Sequence, residues 1–286
     1  MLGFTPSQLN RKTDYGEGPE FQLEALNEAG YFFPPLASIH TLPALAPLDD
    51  ESHSLEYRVR SYFAANCLSC HQPQGISAVE WDARIVAPLA AAKLLEAEPS
   101  NHFGNPAAKV IDPGSLDQSV LYRRISQNGI GRMPPLASSV LDQQAIDLLR
   151  EWIESDLPKR SSFQDWQDIH FDSVTDPAAQ WDADPDRDRA SNYLEFLTRT
   201  DPLLNGDGWR VNVRMVPDGV AIKFHQLPNL RYEIQWTDFP LEFNLWLPLD
   251  VPGNRDFVAA EPQWTTVLDP RTFSSTRFYR VVVFEH

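Results

Sequence analysis

The chain contains two cysteines, and they stand three positions apart with a histidine directly after the second: Cys67-Leu68-Ser69-Cys70-His71. That order of residue types has a specific chemistry. Two thiols add across the two vinyl groups of a haem to form thioethers, and a two-residue spacer holds the sulfurs at about the separation of the vinyls. The imidazole that follows then points at the iron, for which it is a strong nitrogen ligand. Cys67, Cys70 and His71 are therefore candidate attachment points for one covalent haem c. Two other chemistries use paired cysteines. Zinc needs a fourth donor in a second cluster, and neither His53 nor His102 has ligand spacing. A thioredoxin-like dithiol expects a βαβ setting, whereas the surroundings of Cys67 read as helical.

A second axial ligand decides what such a haem can do. A methionine thioether raises the reduction potential and closes the site to oxygen. Met1 is terminal and Met215 lies in a predicted strand of another region, which leaves Met133, between Gly131-Arg132 and Pro134-Pro135. Two prolines restrict that loop and suit it to holding a weak ligand in place. His102 is the alternative, in a Gly/Asn-rich loop. Haem propionates call for guanidinium partners. Arg123, Arg124 and Arg132 are candidates, with Arg132 the first choice because it adjoins Met133. Trp81 reads as a core residue packed near the same place.

A second constellation is acidic. Asp184, Asp186, Asp188, Asn192 and Glu195 follow the spacing D-x-D-x-D-x-x-x-N-x-x-E. This matches an EF-hand-type calcium loop with oxygen ligands at positions 1, 3, 5, 9 and 12 and the Ala190 carbonyl at position 7. Arg189 occupies the sixth position, where such loops turn sharply and normally carry glycine. A solvated acidic linker is the competing reading, and Asp182 is either an extra ligand or more surface charge.

These groups need elements to position them. Residues 1–52 read as an extended lead-in with a short helix closed by Gly30, followed by a proline-rich stretch. Residues 53–159 read as a compact all-α domain. Its helices run from Leu55 to Asn66, from Ala83 to Glu98 with Pro88 near the start, and from an Asp142 N-cap through Ile146, Leu149, Trp152 and Ile153 to Pro158. Gly75 lets the chain pass close to the haem edge, and Pro113-Gly114 reads as a turn. Residues 160–208 form an acidic connector holding the candidate calcium loop. Residues 209–286 hold short β-branched and aromatic runs: Trp209–Val216, Val220–His225, Tyr232–Thr237, Leu245–Leu249, Thr265–Leu268 and Arg277–Phe284. The turn signals between them predict a small, all-β antiparallel sandwich. The fold class expected is thus multidomain, an all-α haem domain followed by a β-sandwich.

The CxxCH at a helix exit, the Met133-Pro134-Pro135 loop and the closing amphipathic helix together resemble class I c-type cytochromes over residues 55–157. The resemblance extends to haem domains of large secreted bacterial proteins, often placed beside sugar-dehydrogenase-like propellers. It is carried there by Leu2-Gly3-Phe4, Gln8-Leu9-Asn10-Arg11, Ile111-Asp112-Pro113-Gly114 and Ser119-Val120-Leu121-Tyr122-Arg123-Arg124. It implies one low-spin, six-coordinate haem and an electron-relay role. The acidic segment, with its trailing Thr200-Asp201-Pro202, resembles thrombospondin type-3 and dockerin-like calcium loops. The final strands resemble fibronectin-type-III-like modules.

The expected function is electron transfer by a monohaem module, from a dehydrogenase domain or partner to another cytochrome or an oxidase, rather than catalysis. The alternatives are a peroxidase-like haem enzyme and a haem-containing sensor or adhesion module. A net charge of −16, spread over both halves, supplies no basic face for nucleic acid or an anionic membrane. No apolar run is long enough for a membrane span. In the bacterial lineages that the chain resembles, haem is attached outside the cytoplasmic membrane, so a periplasmic or extracellular location is expected. Met1 to Asn10 has neither a basic start nor an apolar stretch, so the expectation is of a removed signal or a piece of a longer protein.

Overall fold

The computed structural model describes residues 4–16, 18–95, 97–136, 139–239, 245–255, 257–270 and 276–286. Leu2 and Gly3, quoted above for the resemblance, lie outside the described residues. The lead-in holds α1 (Pro6–Leu9), a hairpin of β1 (Lys12–Asp14) and β2 (Pro19–Phe21), and α2 (Gln22–Glu28). Next come α3 (Leu55–Asn66), α4 (Val120–Ile125) and α5 (Gln143–Glu151), then α6 (Phe163–His170) and α7 (Asn192–Thr198).

α3 starts at Ser54, whose hydroxyl accepts the Tyr57 N–H at 3.3 Å. It carries neither Gly nor Pro and ends at Cys67, whose N–H still donates to the Phe63 carbonyl at 2.7 Å. The helix exit therefore feeds directly into the CxxCH segment. α5 starts at Asp142, whose carboxylate accepts the Ala145 N–H at 3.1 Å. A π-helical turn, Trp152–Asp156, prolongs it as far as Leu157-Pro158. Val59 and Phe63 of α3 pack with Ile146, Leu149, Trp152 and Ile153, and with Trp81, Ile111 and Leu121, in one core.

The expectation of an all-α domain over 53–159 is overturned. From Cys67 to Ser119 the described chain forms no helix, only turns, irregular segments and isolated bridges such as Leu95–Ile111 and Lys109–Ser119. Pro73, Pro88, Pro99, Pro106 and Pro113 punctuate the stretch. The helix expected from Ala83 to Glu98 is absent, Glu96 lying outside the described residues. Pro88 removes a backbone donor there, and Lys93 takes a left-handed φ of 53°. The Arg60 guanidinium also captures the carbonyls of Arg84 (3.3 Å) and Ala87, which a helix would have used internally.

The C-terminal residues form β3 (Asn212–Val216), β4 (Gly219–Gln226), β5 (Leu230–Thr237), β6 (Leu247–Pro248), β7 (Gln263–Asp269) and β8 (Phe278–Glu285). They assemble as two antiparallel three-stranded sheets, β3-β4-β7 and β6-β5-β8. Val220, Ile222 and Phe224 of β4, Val267 of β7 and Tyr232 and Ile234 of β5 meet in a shared core, as the two-residue period of a strand requires. The strand expected over Leu245–Leu249 shrinks to Leu247–Pro248. With the lead-in hairpin the described residues form three small sheets among short helices, so the fold is mixed rather than an all-α unit followed by a β unit.

The lead-in is stitched to the C-terminal region. Arg255 donates to Asn10 (3.0 Å), bonds His40 (2.8 Å), pairs with Glu24 and lies over the Phe21 ring. Ser54 N–H donates to the Val258 carbonyl at 3.0 Å. At the same junction a buried Glu56 pairs with Arg60 and Arg160. His286 is also buried there, its ring 4.7 Å from Tyr57, while His53 stacks on Tyr57 at 5.0 Å.

Burial lowers the pKa of both His286 and His53, in His53 against the pull of Asp50. A folded-state pKa below the unfolded one means the unfolded chain binds more protons below about pH 6.5, so stability falls as pH drops through that value. The melting temperature is expected to fall between about pH 7.5 and 5.5, and the slope to flatten in the double variant His53→Gln, His286→Gln. An unchanged slope in that variant would assign the acid sensitivity to other groups.

Candidate functional site

The N–H groups of Cys70 and His71 both donate to the Cys67 carbonyl, at 3.0 and 2.8 Å, closing a tight turn off the end of α3. Cys67 is buried, Cys70 half-buried, and both thiols are free. Burial, helped by Cys70, pushes the Cys67 thiol up to about 12. Burial therefore holds the Cys67 thiol as S–H.

His71 stacks on Trp81, with ring centroids 4.3 Å apart and planes at 24°. Trp81 meets Phe63 edge-on at 5.7 Å, and Phe63 meets Trp152 at 6.3 Å. The imidazole is thereby the outermost ring of an aromatic column rooted in the core. Desolvation lowers its pKa and the charge of Arg124 adds to this, against a hydrogen bond to the Val79 backbone. The ring is neutral at physiological pH, as a metal ligand must be. Ala83 N–H ties down the His71 carbonyl at 2.9 Å, and Ser77 N–H the Cys70 carbonyl at 3.3 Å. Gly75 is required here, because a Cβ would run into the Cys70 carbonyl.

Met133 is half-buried against the same core. Its N–H donates to the Arg124 carbonyl at 2.9 Å, while Arg124 Nη1 donates to the Gly131 carbonyl at 2.8 Å. The Arg124 and Arg123 guanidiniums lie over the Phe103 ring, 4.8 and 4.4 Å from its centroid. Arg124 thus links the Met133 loop to the neighbourhood of His71. Burial lowers its pKa, and among the described residues no carboxylate pairs with it. Arg132, the first choice from sequence, is half-buried beside Met133. His102 is occupied by Glu98 at 3.1 Å. Sequence reasoning placed Trp81 in the core but missed its stack on His71, and it ranked Arg124 below Arg132.

The acidic segment folds into a compact loop. Asp184 Oδ1 and Asp186 Oδ1 accept the Asp188 N–H (3.1 and 3.0 Å), and Asp184 Oδ2 accepts the Arg189 N–H (3.0 Å). Arg189 takes the left-handed turn that its position demands, at φ 81°. Carboxylate oxygens of Asp184, Asp186 and Asp188 converge, as do those of Asp186, Glu195 and Asp207, each set within 4.8 Å. Asp207 was missed because it lies outside the twelve-residue spacing. Asn192 sends its amide to the carbonyls of Ala178 and Gln180 (both 2.8 Å), and the Ala190 N–H caps Asp188 Oδ1 at 2.9 Å. Asp182 joins neither set.

The described residues that gather three ligating groups around one point are these acidic ones; Cys67, Cys70 and His71 do not form such a group. A zinc ion would draw its ligands into one tetrahedron. Two thiols followed directly by an imidazole are the donor types that a covalent haem would use.

No family model, no curated protein and no solved structure matches the chain. The resemblance to class I c-type cytochromes over 55–157 is therefore corrected, since no family match supports it and the helix-free stretch after Cys67 departs from an all-α haem domain. The resemblances to thrombospondin type-3 loops and fibronectin-type-III modules likewise find no match. No described helix is long and apolar enough to cross a membrane.

Trp81→Ala is expected to cost about 3–5 kcal/mol in denaturant unfolding, and Trp81→Phe clearly less, because the column under His71 loses its middle ring. Equal losses in the two variants would mean that ring stacking contributes little.

Proposed function

We propose that the chain carries one haem, which Cys67 and Cys70 would hold covalently and whose iron His71 and Met133 would ligate, and that it relays electrons rather than catalysing a reaction. The observation that carries this reading is the neutral imidazole of His71, stacked on Trp81 and directly following two unpaired thiols on one turn. A haem held there supplies a one-electron couple. The residues do the rest. The aromatic column keeps the imidazole from moving with redox state. The backbone bond from Met133 to Arg124 anchors the Met133 loop. Arg124, a desolvated cation without a carboxylate partner among the described residues, suits a propionate.

The segments bearing these residues also expose Ile76, Ile130, Leu136 and Val140. Apolar side chains at such a rim suit brief docking of a redox partner. The donor is a dehydrogenase domain or partner, the acceptor another redox protein, and the compartment is periplasmic or extracellular, where haem is attached to such motifs.

Protein matured in a haem-attaching host is expected to give a pyridine haemochrome spectrum of one covalent haem per chain. It should be lost in Cys67→Ala, Cys70→Ala; colourless protein with both thiols open to alkylation would end the proposal. Met133→Ala is expected to lower the reduction potential and open the ferrous form to rapid CO binding. Arg124→Gln should lower the potential with the absorption spectrum unchanged, because a cation beside the site disfavours the oxidised form. Rapid CO binding in the unaltered protein would favour the sensor or enzyme alternative.

A further inference from the structure

We propose that Asp184, Asp186, Asp188, Glu195 and Asp207 form one site for a hard divalent cation of the calcium class, closed by Asp207 from the strap that leads into β3. The inference is independent of the haem. Its decisive residue is Glu195, on the first turns of α7. Its side chain is fully buried, and neither carboxylate oxygen has a hydrogen-bond partner. An isolated carboxylate in that position costs several kcal/mol unless something neutralises it, and no arginine or lysine pairs with it among the described residues. What faces it is more negative charge: Asp186 and Asp207 have carboxylate oxygens within 4.8 Å, and Asp186 Oδ2 is likewise buried and unpartnered. Burial and the four neighbouring aspartates raise the Glu195 pKa to about 7.

The spacing within each carboxylate set suits an ion. Calcium–oxygen bonds of about 2.3–2.6 Å place opposite ligands about 4.6–5.2 Å apart, each set falls within that limit, and Asp186 belongs to both. The donors are all hard oxygens, which exclude soft-metal preference.

The surrounding backbone is already arranged as a cradle. Gly208 N–H donates to Asp188 Oδ2 and Asp201 N–H to Asp207 Oδ2 (both 2.9 Å), while the Asn205 amide donates to the Asp186 carbonyl at 2.7 Å. A Cβ on Gly208 would collide with the Asp188 carboxylate. The loop before α7 and the strap after it are thus knitted together around the carboxylates. α7 in turn packs Leu197 into the core between the sheets, and Tyr193 reaches Glu285 of β8 at 3.3 Å. Cation binding would therefore be felt by the sheets.

The test uses the full chain, stripped with a chelator and titrated with calcium by calorimetry, with thermal unfolding in parallel. One calcium per chain and a rise in melting temperature at millimolar calcium are expected. Asp207→Asn should weaken binding by about tenfold or more, whereas Asp172→Asn, in the same connector, should not. Glu195→Gln separates ligation from folding. It should melt at the same or a higher temperature than the parent in chelator, because the buried charge is gone, and should no longer respond to calcium. No stoichiometric binding at millimolar calcium, or full binding retained in Asp207→Asn, would overturn the proposal.

Discussion

The region around Cys67, Cys70 and His71 depends on one packing interaction, the stack of His71 on Trp81. An imidazole at the end of a loop has two free torsions and a charge that changes near neutral pH. Stacking restricts the torsional freedom, and the desolvation that accompanies it disfavours the charged form. Trp81 can do this because it is itself clamped by Phe63, which sits on the same helix that delivers Cys67. The thiols and the imidazole are consequently positioned by a single rigid unit, though they lie on either side of a helix end.

That unit is not free-standing. α3 also carries buried Glu56 and Arg60, and Arg160 comes from beyond α5 to complete the cluster. Arg60 also takes the Arg84 and Ala87 carbonyls, so the charge that would be costly to bury organises the backbone just after Trp81. The Ser54–Val258 bond and the Arg255 contacts to Asn10, Glu24 and His40 then tie α3 and the lead-in to the sheet region. Rigidity at His71 is supported by contacts that span nearly the whole sequence.

What the sequence made legible follows from the range of the interactions involved. α3 and α5 were readable because their caps, Ser54 and Asp142, and their apolar stripes are local signals. The core strands β4, β5 and β7 were readable through period-two alternation bounded by turn residues. The stretch from Cys67 to Ser119 was misread as partly helical because Ala-rich Ala83–Glu98 has favourable local propensity. The competing bonds from Arg60 come from a residue far away in sequence, and no local pattern announces them. In the acidic site, the loop spacing exposed Asp184, Asp186, Asp188 and Glu195. It could not show Asp207; Asn192, on the expected spacing, gives its amide N–H groups to the Ala178 and Gln180 carbonyls and keeps its Oδ1 buried without a partner. The family-level resemblance failed for a related reason: short ligand motifs are local chemistry, and they do not fix the chain that packs around them.

The distribution of charge separates the two sites more sharply than the net charge suggests. A chain with a net charge of −16 places Arg123, Arg124 and Arg132 on the short stretch that leads to Met133, with no acidic residue among positions 120–136. It concentrates carboxylates between Asp182 and Asp207, where Arg210 approaches Asp188 only to 3.9 Å. Three arginines and no acidic residue stand on the segment suited to an anionic cofactor edge, whereas carboxylates outnumber the arginines Arg187, Arg189 and Arg199 on the segment suited to a metal ion. Each cluster taken alone is self-repelling and costs stability. Glu195 is in addition fully buried, with neither carboxylate oxygen partnered. Arg124 is only half-buried, and it gives its guanidinium to the Gly131 carbonyl and the Phe103 ring. The two proposals therefore rest on different observations, a buried bare carboxylate in one case and a thiol–thiol–imidazole order in the other, and they stand or fall separately.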